Sequence, residues 1–98
     1  MKNDLVLVLH ATVTWFSPEQ GGLGNTPFSG IQPSFAAKGE LIMCRIWTIN
    51  GSQHMAVGVP CEVKIELPYG ENYRDLLSTG YEFNLNVGGR VIGCGRVA

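Results

Sequence analysis

The side chains best suited to catalysis in this sequence are two histidines, and neither belongs to a known nucleophile pattern. His10 and His54 do not accompany a serine or a cysteine in such a motif. His54 follows a turn signal, which predicts an exposed loop position. His10 lies in mid-strand, where a structural histidine is more typical than a catalytic base. We therefore expect no catalytic residues.

The three cysteines are Cys44, Cys61 and Cys94, an odd number with wide gaps between them. A disulfide framework uses an even number of cysteines, and a zinc site uses closely spaced pairs of ligands. We predict three reduced, mostly buried thiols and no metal site.

Two further groups of residues suggest chemistry without defining a reaction. The run Gly21–Gly24 is glycine-rich, but it lacks the Lys-Ser or Lys-Thr and the following helix of a phosphate-binding loop. Aromatic side chains can stack on nucleobases, although a small fold needs most of them in its core. Those considered are Trp15, Phe16, Phe28, Phe35 and Trp47. The residues predict a binding or structural module without a cofactor rather than an enzyme.

The charge balance argues against strong autonomous binding to nucleic acid. The 98 residues carry seven Lys or Arg against eight Asp or Glu, a net charge of −1. Proteins that bind nucleic acid by neutralising phosphates are usually far more basic. No stretch approaches the roughly 20 apolar residues that span a bilayer, and the apolar run 5–9 lacks a cleavage site. We expect one domain over residues 1–98, located in the cytoplasm and without membrane contact.

Alternation of apolar and polar residues with a period of two indicates β-strands along most of the chain. The candidate strands cover residues 5–16, 31–37, 40–49, 61–67, 81–87 and 90–97. Residues 71–79 fit either one helical turn around residues 74–77 or a loop. Five or six short strands with regular turn signals predict an all-β fold, either a small barrel or a sandwich. The long loop 17–30 is unusual in so small a domain, and such loops commonly contact partners.

Individual residues refine these elements. Pro33 suits an edge strand, Asn50-Gly51 is a strong hairpin signal, and Gly88-Gly89 predicts a two-residue turn. Gly93 and Gly95 fall on one face of the last strand. Their missing side chains indicate a sharply coiled strand or the close approach of another backbone.

Two segments resemble the C-terminal β-barrel of the bacterial elongation factor Tu family. The first begins Gly21-Gly22 and continues from Thr26-Pro27-Phe28 to Phe35, and the second is Gly88–Val97. The family pattern reads Gly-Gly, Thr-Pro-Phe and Ser-Gly-Tyr-Arg-Pro-Gln-Phe, and it ends Gly-Gly-Arg-Thr-Val-Gly-Ala-Gly-Val. Between them, the segment 59–65 resembles the family's strand entry Met-Pro-Gly-Asp-Asn-Val. The resemblance covers about residues 10–97 and implies a six-stranded antiparallel barrel.

The resemblance also implies partners. In the family this barrel helps hold the T-stem of aminoacyl-tRNA and contacts the GTPase domain and the exchange factor. We expect no nucleotide hydrolysis here, because no segment resembles the GTPase domain. Two family cations are replaced, since Gln32 stands for the arginine of the Tyr-Arg-Pro segment and Asn86-Val87 for the Arg-Glu before the terminal glycines. The resemblance therefore predicts that the fold is kept and the RNA contact is weakened.

Three hypotheses for the function follow. The leading one is a stand-alone barrel that binds a protein through its long loop, with Phe28 as an apolar anchor. The alternative role for Thr26-Pro27-Phe28 is to close the end of the barrel. The second hypothesis is weak tRNA or RNA binding at the Gly88-Gly89-Arg90 turn, and the third is a homodimer formed through an exposed face. The candidate partner-binding residues are Gly22, Thr26, Pro27, Phe28 and Gln32.

Overall fold

The strands form where apolar residues alternate with polar ones, as β1 illustrates. In the computed structural model, which describes residues 5–98, its odd-numbered residues from Leu7 to Trp15 are buried, whereas Val8, His10 and Thr12 are exposed. One face of the strand therefore packs in the core and the other faces outward. The strands are β1 Leu7–Trp15, β2 Ser34–Ala37, β3 Glu40–Met43, β4 Arg45–Thr48, β5 Pro60–Leu67, β6 Glu82–Val87 and β7 Arg90–Val97.

The seven strands make one antiparallel sheet in the order β3-β2-β6-β7-β1-β5-β4. The outermost strands, β3 and β4, are consecutive in the chain and are separated by Cys44 alone, so the sheet curls until its two ends meet. This confirms the all-β, barrel-like fold. The structure has seven strands where six were expected. The predicted strand 40–49 divides at Cys44, because the chain there changes its pairing partner from β2 to β5.

The core is apolar, and among residues 5–98 it contains no buried polar or charged residue. Phe35 stacks on Phe83 with ring centroids 4.3 Å apart. The absence of a side chain at Gly95 leaves room for the Phe83 ring, because a Cβ built there would overlap the ring. The same Cβ would lie 2.8 Å from the Thr12 carbonyl oxygen. The close backbone approach expected at Gly95 is confirmed. The largest fully buried side chains are Trp15, Phe35, Ile46, Met55, Ile65, Leu67, Leu85 and Ile92.

Three connections lie at the end of the barrel where β1 finishes: residues 16–33, residues 49–59 and the β6–β7 turn. Val87 pairs directly with Arg90, which confirms the two-residue turn at Gly88-Gly89. The hairpin predicted at Asn50-Gly51 is wrong as a link between strands, because β4 ends at Thr48 and β5 begins only at Pro60. The Asn50 side chain instead accepts the Ser52 backbone N–H at 3.0 Å and forms a local turn.

The opposite end of the barrel holds the β2–β3 turn and residues 68–81. A 3₁₀ helix spans Gly70–Tyr73, so the helix ends just before residues 74–77, where the helical turn was predicted. The expectation that Pro33 marks an edge strand is wrong: Pro33 precedes β2, and β2 pairs with strands on both sides. Among residues 5–98, neither short helix has the length and apolar character needed to cross a membrane.

Candidate functional site

The long loop after β1 is held at its base by backbone contacts. After the 3₁₀ helix Pro18–Gln20, the Gly22 N–H donates to the Ser17 carbonyl at 2.9 Å, and the Gln20 side chain accepts the Ser17 N–H at 3.0 Å. Gly22 is buried, and a Cβ at this position would lie 2.6 Å from the Phe16 carbonyl carbon. The structure therefore gives Gly22 a packing role within the loop rather than an exposed position.

The middle of the loop divides into a buried proline and an exposed aromatic ring. Pro27 is fully buried, and its carbonyl accepts the Met55 N–H at 2.9 Å. Phe28, the next residue, pairs with His54 as an isolated bridge and leaves 51% of its surface exposed. Thr26 is also exposed. Pro27 thus closes the barrel end, whereas Phe28 projects from it.

The loop then runs antiparallel to β4. The Gly30 N–H donates to the Ile46 carbonyl at 2.7 Å, and the Ile46 N–H donates to the Ile31 carbonyl at 2.9 Å. The Ser29 hydroxyl accepts the Thr48 N–H at 3.0 Å. These bonds fix the loop next to the strand, so the position of Phe28 is set by the sheet.

Trp47 lies beside this loop on the outer face of β4. A Cβ on Gly30, whose φ is +98°, would lie 3.2 Å from Trp47 Cζ3, so the ring packs against the glycine backbone. The Arg45 guanidinium carbon lies 5.7 Å from the centroid of the Trp47 ring, which is within cation–π range. Gln32 is exposed and follows the paired residue Ile31. Sequence patterns did not select Arg45 or Trp47 as site residues, because only the long-range pairing brings them to the loop.

The second candidate site is the β6–β7 turn, and it lies at the same end of the barrel. The Phe16 N–H donates to the Ile92 carbonyl at 2.9 Å, which connects the start of the long loop to β7. Gly88 has a φ of +58°, and nothing lies within 4 Å of a Cβ built on Gly88 or Gly89. Arg90 is exposed. The turn is therefore open to an approaching molecule.

The histidines and cysteines are scattered rather than grouped. His54 is exposed, as predicted, and His10 is exposed on the outer face of β1. Within residues 5–98, no group of three His, Cys, Asp or Glu side chains is arranged to hold a metal ion. All three cysteines are free, but the prediction that they are mostly buried is wrong, because only Cys44 is buried and Cys61 and Cys94 are partly exposed.

The environments of two thiols change their pKa values. The Cys44 thiol donates to the Pro33 carbonyl at 3.2 Å, and burial raises the pKa of Cys44 to about 12. Burial also raises the pKa of Cys61, and the neighbouring Glu62 carboxylate raises it further. Both effects favour the protonated thiol, which is a poor nucleophile.

The comparisons with known proteins add no relative: no family model and no curated protein matches this sequence. The surface where the loop lies along β4 offers an exposed phenyl ring, a tryptophan packed against glycine and a guanidinium. Aromatic and arginine side chains of this kind are enriched among the residues that dominate protein interfaces. The arrangement is suited to contact with another macromolecule.

Proposed function

We propose that this protein is a non-enzymatic binding module whose loop 17–33 contacts a protein partner. The observation that carries the proposal is the exposure of Phe28 on a loop held by backbone hydrogen bonds on both sides of it. Such a ring loses little conformational freedom on binding, because the residues around it are already fixed. Burying it against a partner would remove apolar surface from water.

The resemblance to the C-terminal barrel of elongation factor Tu suggests the class of partner. We propose a translation-related factor, or a toxin, that recognises that barrel and for which this protein competes. The all-β barrel agrees with the fold that the resemblance predicted. The proposal places the protein in the cytoplasm, where translation factors act.

The test is capture of partners from native cytoplasm at about 150 mM salt, where weak electrostatic contacts are largely screened. We expect a stoichiometric protein that is lost with Phe28→Ser and displaced by excess elongation factor Tu. Tyr69→Ser is the matched control, since Tyr69 is 54% exposed at the other end of the barrel. Recovery of tRNA without protein, or equal loss with both variants, would contradict the proposal.

A second candidate function is weak RNA binding at the Gly88-Gly89-Arg90 turn. The open space around both glycines favours it, because an RNA backbone could approach the turn closely. We expect Arg90→Ala to weaken tRNA binding and to reduce the slope of log affinity against log salt by about 1. Titration of labelled tRNA at salt concentrations between about 50 and 200 mM measures this slope. An unchanged slope would exclude a phosphate contact by Arg90.

A further inference from the structure

We propose that the binding surface extends from Phe28 across the outer face of β4 and selects a protein segment with a carboxylate beside an apolar side chain. This surface, the Trp47 patch, consists of Phe28, Arg45, Trp47, Ile49 and Lys64. The inference rests on the proposed function, because Phe28 contacts the partner in both. What it adds is the type of side chains that the partner presents.

The pairing of the loop with β4 builds the apolar end of the patch. Ile31 lies directly opposite Ile46 in antiparallel register. The chain then turns, with the Ile31 N–H donating to the Phe28 carbonyl, and the Ser29 hydroxyl accepts the Thr48 N–H at 3.0 Å, so Phe28 and Ile49 each lie next to a partner of this bond at the end of β4. The side chains of Phe28 and Ile49 are both 51% exposed, so two apolar groups face solvent close to this bond. Together they form an apolar contact area at the end of the strand.

Trp47 and Arg45 form the centre of the patch. The benzo edge of the indole packs against Gly30, and the guanidinium of Arg45 lies over the ring at 5.7 Å from its centroid. Any larger residue at Gly30 would meet the ring, with Cβ only 3.2 Å from Cζ3. The indole and the guanidinium are therefore positioned before a partner arrives, which lowers the entropic cost of binding.

Within residues 5–98, neither cation of the patch forms an ion pair. The pairing register places Lys64 opposite Trp47 and Glu66 opposite Arg45. Yet the ion pair found within residues 5–98 joins Arg74 to Glu71, and it involves neither Arg45 nor Lys64. The Arg45 guanidinium is positioned by the ring, and its N–H groups are free to donate two parallel hydrogen bonds to a carboxylate.

The acidic neighbours define the direction of approach. Glu62 and Glu66 lie on β5, on the same face as Lys64, and they would repel a carboxylate that came over that strand. Arg45 has no acid on its other side, where the loop brings the uncharged Gln32 alongside it. The carboxylate of the partner therefore reaches Arg45 from the loop side, and its apolar neighbour contacts Phe28 and Ile49.

These contacts favour a protein over a nucleic acid at this patch. Base stacking needs an open aromatic face. Arg45 already covers the Trp47 ring, and Gly30 occupies the benzo edge.

The test is selection of a phage-displayed random dodecapeptide library on the immobilised whole protein. We expect enrichment of peptides with Asp or Glu next to an aliphatic or aromatic residue. Their Kd should rise at least tenfold with Arg45→Gln and stay unchanged with Arg96→Gln, which alters an exposed arginine of β7 outside the patch. In ¹⁵N spectra the peptides should shift the indole signal of Trp47 and leave that of the buried Trp15 in place. Urea unfolding of Arg45→Gln, with an unchanged midpoint, verifies its fold.

Four results would overturn the inference: no enriched peptide, enriched peptides without acidic residues, equal binding by Arg45→Gln, or a shift of the Trp47 signal by oligouridylate but not by peptide. The proposed function fails separately. If the cytoplasmic partner is lost with Phe28→Ser and retained with Arg45→Gln, the loop binds it and the inferred chemistry is wrong. If acidic peptides bind the patch but no cytoplasmic partner is captured, the inference holds and the proposed function does not.

Discussion

Replacing Gly22 with alanine tests whether the base of the long loop is as tightly packed as its contacts indicate. A methyl group there would lie 2.6 Å from the Phe16 carbonyl carbon, 2.9 Å from the Ser17 carbonyl oxygen and closer still to the Phe16 oxygen. All three are backbone atoms, so no change of side-chain rotamer relieves the contact. The backbone of the loop must shift.

The cost of that shift has two parts. Moving residue 22 away from Ser17 loses the hydrogen bond between the Gly22 N–H and the Ser17 carbonyl, worth about 0.5–1.5 kcal/mol. Forcing a methyl group into a filled space costs about 1–3 kcal/mol, part of which the shift relieves. We expect Gly22→Ala to lower the free energy of unfolding by about 2–3 kcal/mol, which leaves a domain of this size folded.

Urea unfolding followed by tryptophan fluorescence measures this difference. The control is Gly24→Ala, because Gly24 is exposed in the same loop and nothing lies within 4 Å of a Cβ built on it. We expect the control to change the free energy of unfolding by less than about 0.5 kcal/mol. If Gly22→Ala also changed the free energy of unfolding by less than about 0.5 kcal/mol, with an unchanged m-value, the assigned packing would be refuted.

Two other predictions concern Cys44 and Thr48. Because burial raises the pKa of the Cys44 thiol from 9.0 to about 12, the unfolded chain loses this proton first, and stability falls as pH rises from 9.0 toward 12. Urea unfolding at several pH values should show a smaller decline for Cys44→Ala, and an identical decline would contradict the assignment. Thr48→Val removes a hydroxyl that donates to the Ser52 carbonyl at 2.6 Å, and it should cost about 1 kcal/mol in urea unfolding. Thr12→Val, on an exposed strand position, should cost less than half of that; equal costs would show that the bond contributes nothing.

The sequence was sufficient for features that depend on neighbours along the chain. Alternation placed Leu7, Leu9 and Val13 on one face of β1, because side chains of a strand point to opposite sides in turn. The two glycines at 88 and 89 predicted the β6–β7 turn, and Gly88 adopts a left-handed φ of +58°, which few other residues accept in so short a connection. The all-β class followed from these local signals.

Tertiary structure decided which strands meet and what lies next to the loop. Cys44 divides one predicted strand because the curled sheet changes the partner of that segment from β2 to β5. Asn50-Gly51 makes a turn but no hairpin, since the chain continues past Met55 before β5 begins. Phe28 was a predicted contact residue, but its neighbours Arg45 and Trp47 were not. Register between distant segments comes from burying apolar faces together throughout the barrel, so no local pattern encodes it.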